Sequence, residues 1–337
     1  MSVEFQELRD AVRQVVDGLD KLGAEQDYWH QCLELGWLMV AAPEELGGLG
    51  MGCEAAVAVQ LELGRGLSGA PYLPAVMAVS AICDSGLDDK SERLEKIFTG
   101  EAITAALVDG GLSASAQTLS GTLNAVLSAD SATQLLFWTD DQSLVAIADL
   151  SHSAISAQGR DTWDTTRRLF DVELQSLPVA DVTVLAEGRS AQTMIKQLRM
   201  QRDLGLAADA VGASTALLEM TVEHLNTRIQ FRRPLAMFQA LKHRCADMKT
   251  LCEASEALLI SVLDTDSDAD VMAAKQMATS HYATVAEEAL QLHGGIGMAV
   301  EHPCHLYLKR AMLNPHLGTS SAACAESAVQ ALLDSVA

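Results

Sequence analysis

The sequence predicts an α+β protein: a helical N-terminal domain, a small middle β domain and a C-terminal helical bundle. Three observations predict it. Hydrophobic residues make up 49% of 337 residues, enough apolar material for more than one core at the usual size of roughly 150 residues per domain. Aromatics reach only 4% while Ala, Leu and Met are plentiful, a mix that favours helices packed on helices over an all-β sandwich. The periodicity also changes twice along the chain, helical over residues 1–100, β-leaning over 101–185 and helical again over 186–337.

The N-terminal elements follow from spacing. Phe5, Leu8, Val12, Val15, Val16 and Leu19 recur at threes and fours, which puts one apolar face on a helix over Val3–Leu22. Trp29, Cys32, Leu33 and Trp37 repeat that pattern in a second helix over Tyr28–Val40. Pro43, Gly47, Gly48 and Gly50 break the helical run and open a loop. Cys53–Gly66 and Pro71–Gly86 are apolar helical segments, and Ser91–Phe98 is a short amphipathic one. Short β-leaning runs then appear at Ile103–Val108, Leu135–Thr139, Leu144–Ile147 and Phe170–Leu174, separated by Gly, Ser and Asp clusters. In the bundle, Ile195, Leu198, Leu204, Val211, Leu218, Val222 and Leu225 trace one long helix. Phe238–Leu263, Met272–Leu292 and Ser320–Val336 are the next three, with an acidic hairpin loop at Asp264–Asp270. Long helices joined by short loops suggest an antiparallel bundle.

Charge and cysteine usage exclude several classes. With 45 Asp and Glu against 23 Lys and Arg the formal net charge is −22, a field that repels phosphate backbones and anionic lipid, so no nucleic-acid or membrane partner is expected. No apolar run is long enough to span a bilayer, and the N-terminus carries neither a basic region nor an apolar one behind it. The 7 cysteines are scattered and never paired as CxxC, so they read as small buried hydrophobes of a reducing cytoplasm. Cys245 and Cys252 share a helix face and, like the methionines spread over several helices, read as core.

Two stretches of the bundle are more specific. One runs from Arg228 through Gln230, Phe231, Phe238 and Gln239 to His243 and Asp247. The other contains Gln291, Gly294, Gly295 and Gly297, with Glu301, His302 and Pro303 behind it. In this order, and together with the Asp164–Arg167 segment and the Pro43–Gly50 loop, they resemble the acyl-CoA dehydrogenase family over almost the whole chain. The resemblance implies the three-domain architecture read above and an FAD whose ADP half lies across a subunit interface. It places Arg228, Gln230, Phe231, Phe238, Gln239, Gln291, Gly294 and Gly295 against that half. The physics is compatible, because a guanidinium meets pyrophosphate bidentately and adjacent glycines let backbone N–H groups approach phosphate. Taken separately, Arg228 reads equally as a solvated helix-end charge and the glycines as a helix cap. The glycines are not a dinucleotide fingerprint of the strand–turn–helix kind, since a helix precedes them.

What the family pattern lacks here is as informative. Members remove an α-proton from an acyl-CoA thioester with a carboxylate. Leu317 stands where most of them carry that base, and Arg202 stands where a minority carry it, so no catalytic residue is expected in this chain. Asp203 is adjacent to Arg202 but rotated about 100° around the helix, and His316 is a weak substitute. The loop and strand that surround the flavin ring in the family have no counterpart between Leu107 and Ala148. Trp138 and Thr139 are a lone echo that reads as a core strand, and Arg232 replaces the glycine after Phe231. The resemblance is therefore closest to the short, base-less subunit of heterotetrameric (α2β2) acyl-CoA dehydrogenases of bacterial steroid side-chain degradation. It implies α,β-dehydrogenation of an acyl-CoA with a longer dehydrogenase subunit as partner and an electron-transfer flavoprotein as acceptor, and a shortened β domain would open room for a steroid-sized acyl group. Two readings compete with it. One is a self-sufficient homotetramer whose base is Asp203, Glu219 or Glu223, and the other is a scaffold of the same fold that has lost its ligand. A metal reading of His302, Cys304 and His305 lacks a fourth donor at motif spacing and gives way to a helix start at Pro303, so no metal is expected.

Overall fold

The computed structural model describes residues 3–19, 25–115 and 117–336. Five helices come first: α1 Val3–Asp17, α2 Glu25–Glu34, α3 Gly52–Arg65, α4 Tyr72–Asp84 and α5 Lys90–Phe98. Eight strands follow: β1 Ile103–Ala105, β2 Leu112–Ala114, β3 Thr118–Leu127, β4 Gln134–Trp138, β5 Leu144–Asp149, β6 Ile155–Arg160, β7 Leu169–Pro178 and β8 Thr183–Glu187. The rest is helical apart from a two-residue hairpin: α6 Gly188–Thr227, β9 Ile229–Gln230, β10 Arg233–Pro234, α7 Gln239–Ser261, α8 Asp268–His293, α9 Cys304–Leu313 and α10 Ser321–Val336.

The strands form two four-stranded sheets, one ordered β1-β4-β5-β8 and one β2-β3-β7-β6. The first is apolar on both faces, and alternation along it shows why. Leu135 and Phe137 of β4 point into the core between the sheets, while Leu136 and Trp138 point into the core shared with α3 and α4. Trp138 and Thr139 are thus both buried, as a core strand requires. In the second sheet β6 is an edge strand, and after the half-buried Ile155 its residues are exposed and polar or small.

Helix α6 is the spine. At 40 residues it runs about 60 Å, touching α4 and the first sheet near its start and the bundle partners α7 and α8 further along. Its crossing with α3 is backbone-tight, because a Cβ on Gly212 would meet the Leu61 carbonyl at 1.8 Å and one on Gly64 would meet Asp209 Cα at 2.5 Å.

Several elements differ from the periodicity reading. The segment Tyr28–Val40 is not one helix: α2 ends at Glu34, and Gly36 at φ 67° turns the chain into a single 3₁₀ turn over Trp37–Met39. A left-handed glycine ends a helix while the apolar pattern on either side carries on unchanged. The polar stretch Ser113–Ser131 contains the ten-residue strand β3, whose bulges at Leu119/Gly121 and Leu123/Val126 break the period-two signal that would have revealed it. Helix α8 begins at Asp268, inside the expected acidic loop, because Ser267 caps it by accepting the Asp270 N–H and two aspartates in the first turn suit the helix dipole. Of the expected first helix, Leu22 falls outside the described residues.

A buried ionic network joins the three parts. Arg310 of α9 donates to the Leu67 and Ser68 carbonyls (3.0 and 2.8 Å), to Asp209 of α6 (3.2 Å) and to Thr166 Oγ1 (3.0 Å). Arg167 pairs with Asp209 at 2.8 Å, and Asn314 donates to the same carboxylate at 3.0 Å. Burial alone would push the Asp209 carboxyl up, but Arg167 and Arg310 outweigh it and hold it below its ordinary value. Removing one partner of such a pair strands the other charge in low dielectric. Arg310→Met should therefore cost about 3–5 kcal/mol in urea unfolding at neutral pH, whereas Arg93→Met, at an exposed helical pair with Asp89, should cost under about 1 kcal/mol. Similar losses for the two would show that the network adds nothing beyond ordinary surface pairing.

Candidate functional site

Helix α6 ends at Thr227, with Arg228 as its cap. The chain then makes a two-residue hairpin turn in which Phe231 (φ 51°) and Arg232 (φ 65°) are both left-handed. That geometry explains why the family uses glycine where Arg232 stands, since a side chain there costs roughly 1–2 kcal/mol. The turn is braced from behind: Phe238 meets Phe231 edge-on at 6.0 Å, and the Arg233 guanidinium lies 4.0 Å over the Phe238 ring. Phe231 itself is 83% exposed, and Gln230 and Gln239 are exposed beside it.

At the end of α8, Gly294 (φ 63°, ψ −144°) caps the helix by donating its N–H to the Leu290 carbonyl. No atom lies within 4 Å of a Cβ built on Gly294 or Gly295, so this turn is an open cradle. Arg228 and Gly295 line one cavity of ≈ 460 Å³ together with His224, Thr227, His293 and Ile296. Among the described residues the Arg228 guanidinium has no partner, unlike the arginines of the buried network. Gln291 is exposed on the last turn of α8, while Gln230, Phe231, Phe238 and Gln239 stand at the hairpin and the start of α7 and do not line that cavity. An unpaired guanidinium beside an open glycine turn is suited to an anion with several oxygens.

The two positions at which the resemblance would place a base, Leu317 and Arg202, are both buried. Leu317 is 2% exposed and packs into the core shared by the N-terminal helices and the first sheet. Arg202 is fully buried and forked onto Asp109 at 3.0 and 3.2 Å, with its Nε 3.2 Å from Asp203 and its Nη2 3.3 Å from Thr319 Oγ1. Burial tends to lower the Arg202 pKa, but Asp203 and Asp109 raise it on balance. The Asp109 carboxyl is pushed up by burial and brought below its ordinary value by Arg202 and Arg199. Asp203 also accepts the Thr319 N–H at 3.0 Å. A cavity of ≈ 320 Å³ beside this cluster is lined by charged side chains, Lys196, Arg199, Asp203 and Asp268, together with the apolar Met200, Val271 and Met272. His316 is exposed and does not line it. Glu219 pairs with Arg65 at 2.5 Å about 25 Å further along α6, and Glu223 lies beyond it on the surface. None of these is a carboxylate poised over a substrate.

Two features were missed in the sequence. Asp109 follows strand β1 in an ordinary Asp-Gly-Gly turn, and only the fold brings it to Arg202; the one available signal was a buried arginine at mid-helix, which demands a carboxylate. His293, between Gln291 and the glycines, was assigned no role. It stacks on His224 (centroids 4.6 Å) and lies 4.9 Å from His302, with Cys304 Sγ 3.7 Å from its Nδ1.

Comparison with known proteins agrees with the fold and the motifs. Residues 3–101 match the family model described as acyl-CoA dehydrogenase, N-terminal domain, and residues 189–330 match acyl-CoA dehydrogenase, C-terminal domain. The chain is 31% identical over 291 residues to acyl-CoA dehydrogenase IpdE2 of Mycobacterium tuberculosis, covering 86% of this chain and 81% of that protein. Among solved structures, the ChsE4-ChsE5 complex from Mycobacterium tuberculosis superposes with a TM-score of 0.86 at 24% identity, over 99% of this chain and 98% of the other. A variant of the Tcur3481-Tcur3483 steroid ACAD gives 0.85 at 24% identity and the same coverage. The chain belongs to the acyl-CoA dehydrogenase family. Among the described residues no helix is long and apolar enough to cross a membrane.

If Arg202 acts by its charge on the buried Asp203 and the partly exposed Asp109, Arg202→Met should destabilise the fold by about 3 kcal/mol at pH 7. Asp109, whose carboxyl Arg202 and Arg199 hold below its ordinary value against burial, loses Arg202 in the variant, so the deficit is full at pH 7 and shrinks as pH falls through the carboxylate range to about 4 and below. Urea titrations of both proteins at the two pH values read this directly, and an equal deficit at both would mean that Arg202 acts only through packing.

Proposed function

We propose that this chain is the shorter subunit of a heteromeric FAD-dependent acyl-CoA dehydrogenase. On this reading it holds the ADP half of a flavin across the subunit interface while a longer partner supplies the ring pocket and the base. The observation that carries the proposal is the filling of both base positions, one by a core leucine and the other by a buried, doubly paired arginine. Neither of these two side chains can take the α-proton.

The residues at the bundle end fit the flavin's ADP half. Arg228 is unpartnered among the described residues and the Gly294–Gly295 turn is open, so both features suit a pyrophosphate. Phe231, Gln230 and Gln239 on the hairpin side, with Phe238 bracing them and Gln291 on α8, would hold the adenosine portion. FAD, when bound, supplies a hydride acceptor for the acyl β-carbon. This chain's own part is to bind and orient, and to keep water from the interface with the exposed apolar residues Ile229, Met237, Ile296, Met298 and Val300 that surround the site. One solved relative is a two-component complex and another a steroid ACAD; a heteromer acting on a steroid-sized acyl-CoA, with an electron-transfer flavoprotein as acceptor, is the form of the proposal these favour. The self-sufficient reading would need Asp203 released from Arg202. A ligand-less scaffold would have no reason to leave an arginine unpaired beside an open turn.

The test is the visible flavin spectrum and native mass of the chain purified alone and after co-expression with the longer dehydrogenase homologue encoded nearest to it. Flavin is expected only in a stoichiometric heteromer, and a yellow homotetramer bleached by acyl-CoA would overturn the proposal. In the heteromer, Arg228→Ala should weaken flavin retention by about 10- to 100-fold, the loss of a charge-assisted pair. Leu317→Met, a volume-conserving change in the core, should leave the turnover rate within about twofold. A large rate loss with the fold intact would place chemistry at Leu317 after all.

A further inference from the structure

We infer that His293, His302 and Cys304 form a binding site for a thiophilic divalent cation of the zinc class, tying the end of α8 to the start of α9 behind the glycine turn. This departs from the sequence expectation of no metal, and it does not rest on the flavin reading. One ligand atom from each of the three residues lies within 4.8 Å of the others, the one such group among the described residues. The fold brings together what spacing could not, because His293 comes from α8 while His302 and Cys304 flank the start of α9. His305, the third donor of the sequence motif, is exposed, and its Nε2 lies 3.4 Å from the Val300 carbonyl, outside the group.

The tautomers are already set for coordination. His293 Nδ1 lies 2.8 Å from the Ala289 carbonyl, which can only accept, so Nδ1 carries the proton and Nε2 the lone pair. That Nε2 is buried and has no partner, an uncompensated acceptor that a cation would satisfy. A carbonyl on the far ring nitrogen is also how metal-binding histidines are oriented. His302 Nδ1 accepts the Cys304 N–H at 3.2 Å, so its lone pair is on Nδ1. Cys304 is fully buried, with its thiol 3.7 Å from His293 Nδ1, so loading requires the thiol to turn from that protonated edge of the ring toward Nε2.

Tetrahedral zinc would place these donors roughly 3.3–3.5 Å apart, given bonds of about 2.3 Å to sulfur and 2.0 Å to nitrogen. Loading thus draws the three side chains together by about an ångström and exchanges one neutral hydrogen bond, Cys304 N–H to His302 Nδ1, for a coordination bond. The Cys304 thiol proton is released to solvent as its thiolate binds, with no change of oxidation state. Three protein donors leave the fourth position to water or to His224, whose ring stacks on His293.

Cobalt(II) is the probe. The full chain, stripped with chelator and titrated with cobalt, is expected to bind one equivalent. Binding should show tetrahedral d–d bands and a thiolate-to-cobalt charge-transfer band, and added zinc should bleach both. Cys304→Ser should remove the charge-transfer band. His302→Gln, at a half-buried position that need not disturb folding, should weaken binding at least about tenfold. Cys245→Ser, on α7, should change nothing. Absence of the thiolate band in the unmodified chain, or a band that survives Cys304→Ser, would overturn the proposal.

Discussion

The ion pair of Arg310 with Asp209 is the constraint on which the architecture depends. A guanidinium has five donors and no way to lose its charge, so burying it commits the fold to acceptors on several sides. Here they come from the α3–α4 connection through the Leu67 and Ser68 carbonyls, from the β domain through Thr166, and from the spine through Asp209. Each part of the chain supplies acceptors that no other part replaces. Domains that would otherwise slide on apolar surface are fixed in register by one side chain. The glycines at the α3–α6 crossing belong to the same arrangement, because only backbone contact at Gly64 and Gly212 lets the Leu67–Ser68 turn come close enough to reach Arg310.

Arginines at three places on the same bundle show how environment assigns role. Arg310 has all its directions satisfied, and Arg202 has a carboxylate on each side and no exposure. Arg228 stands at a helix end beside an open turn and a cavity, with nothing paired to it. In a chain carrying a net charge of −22, a cation left unpaired is a costly omission for a structural element and a useful one for an anion site. The contrast lies in partners, since all three are the same side chain.

What was legible in the sequence divides along physical lines. The architecture was legible because long helices repeat their apolar residues at threes and fours, and α6, α7 and α8 carry that signal over many turns. The hairpin and glycine turn were legible because Arg228, Phe231 and Gly294–Gly295 recur in a family pattern within short spans of chain. Strand β3 was illegible because bulges break its period, and the break at Gly36 because one dihedral angle leaves composition unchanged. The Asp109–Arg202 fork was illegible because its members are 93 residues apart and only the fold brings the loop after β1 to α6; His302 and Cys304 were legible as donors, and what went unread was His293 at the end of α8.

The buried base positions and the open bundle end bear on each other. A site that has lost its base has no reason to stay hollow, because an empty apolar cleft exposes surface and an uncompensated charge destabilises. On the proposed reading Leu317 and the Asp109–Arg202–Asp203 cluster stand in the place of the base, with only the ≈ 320 Å³ cavity left beside them. The bundle end has not been filled in this way. Its hairpin keeps two residues in a left-handed conformation, its aromatic tip is exposed, and its glycine turn is uncovered. Strain and exposed apolar surface persist together where a surrounding structure stabilises them. Among the described residues nothing covers that end, and on the proposed reading it is the flavin and the partner subunit that meet there.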